Sequence, residues 1–452
     1  MARSAKPIIS GHHVPTIEPH RGEVIFTMTS ISRLQSFIMA NGERYCVLVD
    51  ADSGLPLHYP NLFVTSQVRN RSKSKAAMET ALNAIQVLLV LCDKRGIDLI
   101  SRFQSRRFLT VQEIDSIRDA SQKRFSPRQS ARVVPFDGKR AVSEIRNKPV
   151  GKHSEYVRIT YIAKYLKWLG ETLLAGEIDA DTDRCLQKMV TQLNARRPPK
   201  RGRNRLAHVK GLDDRQVELL AELIRPESKN NPFKEVGVRY RNFAIILLLR
   251  YLGIRIGELL NLKTSDIATG TNRIVIARRA DEPDDPRIRQ PLVKTMDHLN
   301  PMRETLAFVI HTYVKQHRSK VKNARRHEYL FVTHKAGKTV GQALSISSLH
   351  KMIRVIARSV LNLQGLHGHA LRHRWNYEFS KLLDGLENPP TAVEQEQMRE
   401  YLQGWKPGSG TAAAYNQRFT EAKSMEVALK LQEGMTRIPE TLKDETRRNR
   451  TR

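Results

Sequence analysis

The chain is poor in cysteine. Cys46, Cys92 and Cys185 are its only three among 452 residues, far apart and with no CxxC. That excludes a disulfide framework and a Cys-rich zinc module. Long hydrophobic runs are missing too. Phe243–Leu249 ends at Arg250, well short of the ~20 residues that cross a bilayer. The opening Met-Ala-Arg-Ser-Ala-Lys-Pro has no apolar secretion core, so a cytoplasmic, nucleoid-associated bacterial location without a membrane partner is expected. Negative charge is scarce: 77 Lys and Arg against 46 Asp and Glu leave +31. Hydrophobic residues still make up 40%, so the charge belongs to a globular protein rather than a disordered tail. A folded protein this basic repels itself unless it meets a polyanion. Nucleic acid is the first candidate and a membrane surface the second.

Punctuation divides the chain into five regions. Residues 1–73 form an appended, partly β region, with short strands expected at Val24–Thr27 and Tyr45–Val49 and a turn at Gly54-Leu55-Pro56. Residues 74–195 read as helices. Met78, Leu82, Ile85 and Leu89 recur at helical spacing, and Thr110 with Glu113 forms a capping-box pattern. Inside this region Lys123–Lys152 is a basic stretch in which Arg124, Arg128 and Arg132 are candidate phosphate contacts. Residues 196–210 hold seven Lys or Arg and no acid, with two prolines, and read as an extended basic linker. Arg196, Arg197, Lys200, Arg201, Arg203 and Arg205 suit a DNA backbone; a localisation-like basic patch is the competing reading.

Residues 211–440 form the next domain and 441–452 a basic tail. The expected architecture is mainly α with a small antiparallel sheet. One strand is expected at Ile274–Ala277 and a second at Pro291–Val293, followed by a turn over Lys294–Asn300. Helices are expected at 301–318, 345–362, 370–384, 393–404 and near 421–434.

Three motifs in this domain carry chemistry. Arg255 follows a Gly-terminated apolar helix, and Glu258 sits three residues on, on the same helix face. In His367-Gly368-His369-Ala370-Leu371-Arg372-His373, His369 and Arg372 are one helical turn apart. Imidazole beside guanidinium suits proton transfer next to a bound phosphate. The histidines also permit a zinc site, although no Cys, Asp or Glu completes it nearby. The third motif is Gly404-Trp405, then a loop with Pro407, Gly408 and Gly410, then Tyr415 after three alanines.

In this order, the motifs resemble the catalytic domain of the tyrosine recombinase (phage integrase) family over roughly Leu212–Leu431. Residues 74–195 resemble that family's helical core-binding domain. The resemblance implies Arg255 and Arg372 as catalytic arginines, His369 as the histidine of the H-x-x-R box, Tyr415 as nucleophile, and Trp405 in a place usually held by His. Glu258 matches the acid that buttresses the first arginine, and His373 is a supporting residue. Lys294, in Val293-Lys294-Thr295, is similar to the family's catalytic hairpin lysine. The basic residue normal a few positions later is His298 here, and Trp405 to Tyr415 is one residue longer than the common spacing.

The implied activity is strand breakage and rejoining through a 3′-phosphotyrosine, without metal, ATP or other cofactor, for a mobile element. The implied partners are double-stranded DNA, three further copies of the chain in a synapse, and accessory DNA-bending or element-encoded proteins. Three other readings remain open from the residues alone. They are a DNA-binding protein without catalysis, a tyrosine-based relaxing or end-resolving enzyme, and a metal-dependent nuclease using the histidine cluster.

Overall fold

The computed structural model describes residues 32–72, 74–124, 149–199, 211–268, 270–293, 295–408 and 411–433; for 411–419, 422 and 433 it describes the backbone alone. The expected strand at Val24–Thr27, most of the basic stretch with Arg128 and Arg132, Lys294, and the linker residues Lys200, Arg201, Arg203 and Arg205 lie outside the described residues.

The chain divides into two compact units. The first comprises Met1–Leu34, Val47–Ser72 and Glu79–Pro198. Its helices are α1 (His58–Gln67), α2 (Lys75–Lys94, shared with the other unit), α3 (Leu99–Gln104), α4 (Val111–Gln122), α5 (Lys152–Leu173) and α6 (Ala180–Ala195). The sequence reading missed α1, whose pattern is short. The α4 start is as expected: Thr110 and Glu113 cap each other's backbone N–H. Glu113 also pairs with Arg102 at 2.6 Å, tying α3 to α4. Phe63 meets Tyr165 and Trp168 edge-on and tilted, each at 5.4 Å, which packs α1 on α5. By length and composition α2 is apolar enough to cross a membrane. Its apolar side is instead core, with Leu82, Ala84, Ile85 and Leu88 fully buried.

The second unit comprises Gln35–Cys46, Lys73–Met78 and Pro199–Arg452. It therefore includes the tip of an N-terminal hairpin formed by β1 (Ser32–Ile38) and β2 (Arg44–Asp50). Its helices are α7 (Asp214–Ile224), α8 (Val236–Tyr251), α9 (Ile256–Asn261), α10 (Glu304–Thr312), α11 (Ile346–Ser359), α12 (Gly368–Asp384), α13 (Ala392–Gln403) and α14 (Thr411–Glu433). The core lies around α8, whose Ala244, Ile245, Leu248 and Leu249 share one buried cluster with Leu349, Ile353 and Ile356 of α11 and Ala370 and Leu371 of α12. Full burial of each such Leu or Ile contributes roughly 1.5–3 kcal/mol. The opposite face of α11 exposes Lys351, Arg354 and Arg358.

The sheet is antiparallel in the order β3 (Ile267–Ala268), β4 (Arg273–Ile276), β5 (His298–Pro301). Ile274 pairs with Asn300 and Ile276 with His298. This corrects the sequence reading twice. Pro291–Val293 is not the partner strand, and His298–Asn300 are strand rather than turn. Pro291 lacks the N–H a ladder needs, and Val293 is buried in the core on a non-strand backbone. A second difference concerns the C-terminal helix, which begins at Thr411 rather than near 421, so Tyr415 sits in helix and not in the preceding loop.

Candidate active site

The site is built where α8 stops. Gly253, at φ +60°, ends the helix in the left-handed region, and a Cβ there would lie 2.8 Å from the Trp375 ring. The carbonyls left over at this end are taken by side chains from later helices. Trp375 Nε1 donates to Tyr251 O at 3.0 Å. Gln403 Nε2 donates to Leu252 O at 3.3 Å. Arg372 Nη1 donates to Gly253 O at 2.6 Å. A cation at a helix C-terminus is favoured by the helix dipole.

Arg255 follows two residues later as the N-cap of α9, not as a helical residue. Glu258 therefore does more than share a face with it. Its carboxylate accepts from the Arg255 backbone N–H at 2.7 Å and from Nη1 at 3.1 Å. It also accepts the Thr295 hydroxyl at 2.8 Å and lies 3.9 Å from Arg372 Nη1. Glu258 is 1% exposed. Burial alone pushes its carboxyl up. The Arg372 charge, the Arg255 N–H, the Arg255 charge and the Thr295 hydroxyl outweigh that and hold it below the usual carboxylate range. One buried carboxylate thus aligns both arginines.

Arg372 itself is 1% exposed, and its guanidinium lies 5.4 Å from the Trp405 ring centroid. Trp405 is buried, in a turn that folds back on α13. Its backbone N–H donates to Glu400 O at 2.9 Å, and Gly408 N–H donates to the Glu400 carboxylate at 2.8 Å. The same turn holds the β4–β5 connection, because Met296 N–H donates to Gly404 O at 2.9 Å. His369 lies one turn before Arg372 on α12, on the solvent side. Its pKa is lowered first by partial desolvation, then by the charges of Arg372, His367 and Arg255, with Glu258 opposing. The ring is therefore neutral near pH 7 and can accept a proton. His373 is half-buried on the same helix.

The structure thus brings together Arg255, Glu258, His369, Arg372 and Trp405. Tyr415 lies on α14 with its backbone alone described, and Lys294 lies outside the described residues between buried Val293 and Thr295. Thr295, Gly253 and Gln403 are the members that sequence reasoning missed. The pairing of Thr295 with Lys294 was the one available signal. Arg287, seven residues before Lys294 in the sequence, is structural. It bonds Asp285 and the carbonyls of Leu260 and Leu344, the last two at 3.0 Å each.

Of the candidate DNA contacts, Arg124 is exposed. Arg196 is engaged with Asp115 at 2.9 Å, and Arg197 lies over the Tyr156 ring at 5.0 Å. Among the described residues, no three His, Cys, Asp or Glu gather as a metal site.

Residues 210–381 match the phage integrase family. No curated protein matches the chain in sequence. Among solved structures the chain is similar to XerA recombinase, at 17% identity over 84% of this chain and 100% of that one, with a TM-score of 0.33. It is similar to the Tn1549 transposon integrase in complex with transposon right end DNA, at 14% identity over 83% and 100%, with a TM-score of 0.46. It is also similar to the XerH site-specific recombinase bound to difH, at 15% identity over 81% and 93%, with a TM-score of 0.35. Arg255, Glu258, His369 and Arg372 all fall inside the matched segment, while Trp405 and Tyr415 lie beyond it. The family match thus covers residues 210–381, the segment through which the chain is similar to the phage integrases, the tyrosine site-specific recombinases.

Proposed function

We propose that this recombinase serves a mobile element, cutting and rejoining its DNA through a 3′-phosphotyrosine on Tyr415. The observation that carries the reading is the buried Glu258 holding Arg255 and Arg372 side by side. Two guanidinium forks aimed at one phosphate can bind its nonbridging oxygens and stabilise the charge that grows in a pentacoordinate transition state. Tyr415 oxygen attacks phosphorus and forms the ester. A phenol of pKa ~10 is mostly protonated at pH 7, so the neutral His369 takes its proton. Lys294 supplies the proton that the departing 5′ oxygen needs. Trp405 packs over Arg372 and, having no second ring nitrogen, relays no proton. Attack by a 5′-hydroxyl from another strand reverses the step, so the bond energy is conserved and no nucleotide is spent.

Strand exchange between two duplexes calls for four protomers. In this reading residues 74–195 and the basic linker track the DNA backbone, a salt-sensitive contact. The location is the cytoplasm, where the DNA is, and accessory DNA-bending proteins are compatible with the scheme.

The test is covalent trapping. Wild type and Tyr415→Phe are incubated, in EDTA, with duplexes spanning the ends of the element that carries the gene, then run on a denaturing gel. An adduct in wild type alone is expected. An adduct in both moves the nucleophile elsewhere, with Tyr401 and Tyr377 next. Binding without an adduct in either favours a DNA-binding role.

A further inference from the structure

The long connection between β4 and β5, residues 277–297, carries Lys294 near its far end. Connections of this length without secondary structure are uncommon in compact domains unless something holds them. Here Arg44, from the tip of the N-terminal hairpin, does so. Arg44 is 4% exposed. Its guanidinium donates to Glu282 O at 2.8 Å, to Asp285 O, and to Gly42 O of its own hairpin at 2.7 Å. Its backbone N–H donates to Asp281 Oδ1 at 3.2 Å.

The guanidinium therefore grips the loop by backbone carbonyls. That fixes the course of the chain and leaves the acidic side chains to other partners: Asp285 to Arg287 and Glu282 to Lys263, at 2.8 and 2.6 Å. The two backbones also touch directly. Gly42 sits at φ +86°, and a Cβ there would lie 2.4 Å from Asp281 O. Asp281 itself is held at φ +52°, a conformation that non-glycine residues rarely keep unless their surroundings impose it. Beyond the grip, Val293 and Thr295 are buried on either side of Lys294, and Thr295 bonds Glu258.

We propose that the hairpin tip, through Arg44 and Gly42, is a positioning element for proton delivery during strand cleavage. It fixes the near end of the connection that carries Lys294 in its far part, between the buried Val293 and Thr295. Arg44 touches neither DNA nor the reacting atoms. This rests on Lys294 being the acid. In the step concerned, the Tyr415–phosphorus bond forms, the phosphorus–5′-oxygen bond breaks, and the Lys294 ammonium proton goes to that oxygen.

A scissile phosphate with sulfur in place of the bridging 5′ oxygen tests the idea. A thiolate, whose acid has a pKa of about 8.5, leaves without being protonated. On ordinary duplex DNA, Arg44→Ala is expected to slow adduct formation tenfold to a hundredfold, the scale of a small misplacement of a catalytic group. On the sulfur substrate it cleaves within twofold of wild type. Arg44→Lys, which keeps the charge but cannot reach several carbonyls at once, shows the same pattern more weakly and guards against misfolding. Lys294→Ala is rescued by sulfur as Arg44→Ala is, whereas Arg255→Ala stays slow on both substrates. Slow cleavage by Arg44→Ala on both, or wild-type cleavage of ordinary DNA, overturns the positioning role. Rescue of Arg44→Ala without rescue of Lys294→Ala overturns the acid assignment, and with it the positioning of Lys294, while leaving Arg44 tied to delivery of the proton.

Discussion

The sharpest test of the site's construction is Glu258→Gln. The side chain keeps its shape, but the amide has one oxygen where the carboxylate offers Oε2 to the Arg255 N–H and Oε1 to the Thr295 hydroxyl, so the substitution removes the charge and one acceptor. Glu258 has no exposure to share that loss with solvent, and two guanidiniums lie at 3.1 and 3.9 Å. Breaking a buried pair by neutralising one partner typically costs about 3–5 kcal/mol, because the other charge stays buried without its counter-charge. For the second unit this means a urea midpoint lower by about 1–2.5 M, taking an m-value of ~2–3 kcal/mol/M. Trp375 and Trp405 report on that unit by fluorescence once Trp168, which lies in the first, is replaced by Phe. Sulfate or a non-cleaved duplex should then restore more stability to the variant than to wild type, because an anion between Arg255 and Arg372 supplies the missing charge. The rate of adduct formation falls in parallel, since both forks lose their alignment. Wild-type unfolding together with wild-type cleavage in Glu258→Gln would refute the claim that this carboxylate organises the site.

Two further outcomes follow from buried groups away from it. Burial, aided by the charges of Arg241 and His317, pushes His334 down to about 3. It faces Tyr313 through Nε2 at 3.3 Å and Glu235 through Nδ1 at 3.5 Å. Its folded pKa lies below the unfolded one, so between pH 6.5 and about 3 the unfolded chain binds the proton that the folded one refuses. Stability is complete above pH 6.5 and falls as pH drops, by about 2 kcal/mol at pH 5 at roughly 1.4 kcal/mol per unit. His334→Gln flattens that slope in urea titrations at pH 7.5 and 5; an unchanged slope sinks the assignment. Among the thiols, Cys185 is exposed, Cys46 and Cys92 are buried, and burial pushes Cys92 up to about 12. Native protein should therefore take one equivalent of a thiol reagent rapidly, at Cys185 by peptide mapping, and urea-unfolded protein three.

Much of the fold was legible because it is local. The periodicity of α2 and the Thr110–Glu113 box are short-range signals, and both elements form where those residues place them. The ordered R-x-x-E, H-x-x-R and G-W motifs were legible because each lies within a turn or two of helix. What failed failed for a physical reason. Pro291-Leu292-Val293 carries the apolar signature of a buried strand, yet Val293 fills the core from a loop, and the pairing belongs to His298–Pro301, whose sequence is mixed. Arg44 and Asp281 are 237 residues apart in sequence, and nothing in either segment announces the other. Thr295 contributes a hydroxyl whose value exists only because Glu258 is buried beside it.

The charges of the site also explain why it needs a residue beyond this cluster. Arg255 and Arg372 carry two positive charges and Glu258 one negative. His369, its pKa depressed, carries none at neutral pH. The sum, +2 − 1, is +1, which one phosphodiester neutralises on binding. In the proposed reaction, attack by Tyr415 then adds negative charge at the phosphorus oxygens and at the departing 5′ oxygen. The two forks were arranged before the reaction and can meet the first without reorganising. They cannot meet the second, because a guanidinium does not give up its proton in a protein. In the proposed scheme that proton comes from Lys294, an acid separate from the two guanidiniums and carried on an element that Glu258 does not control through charge. The β4–β5 connection, gripped at one end by Arg44 and joined at the other to Glu258 through the neutral Thr295 hydroxyl, fits that description.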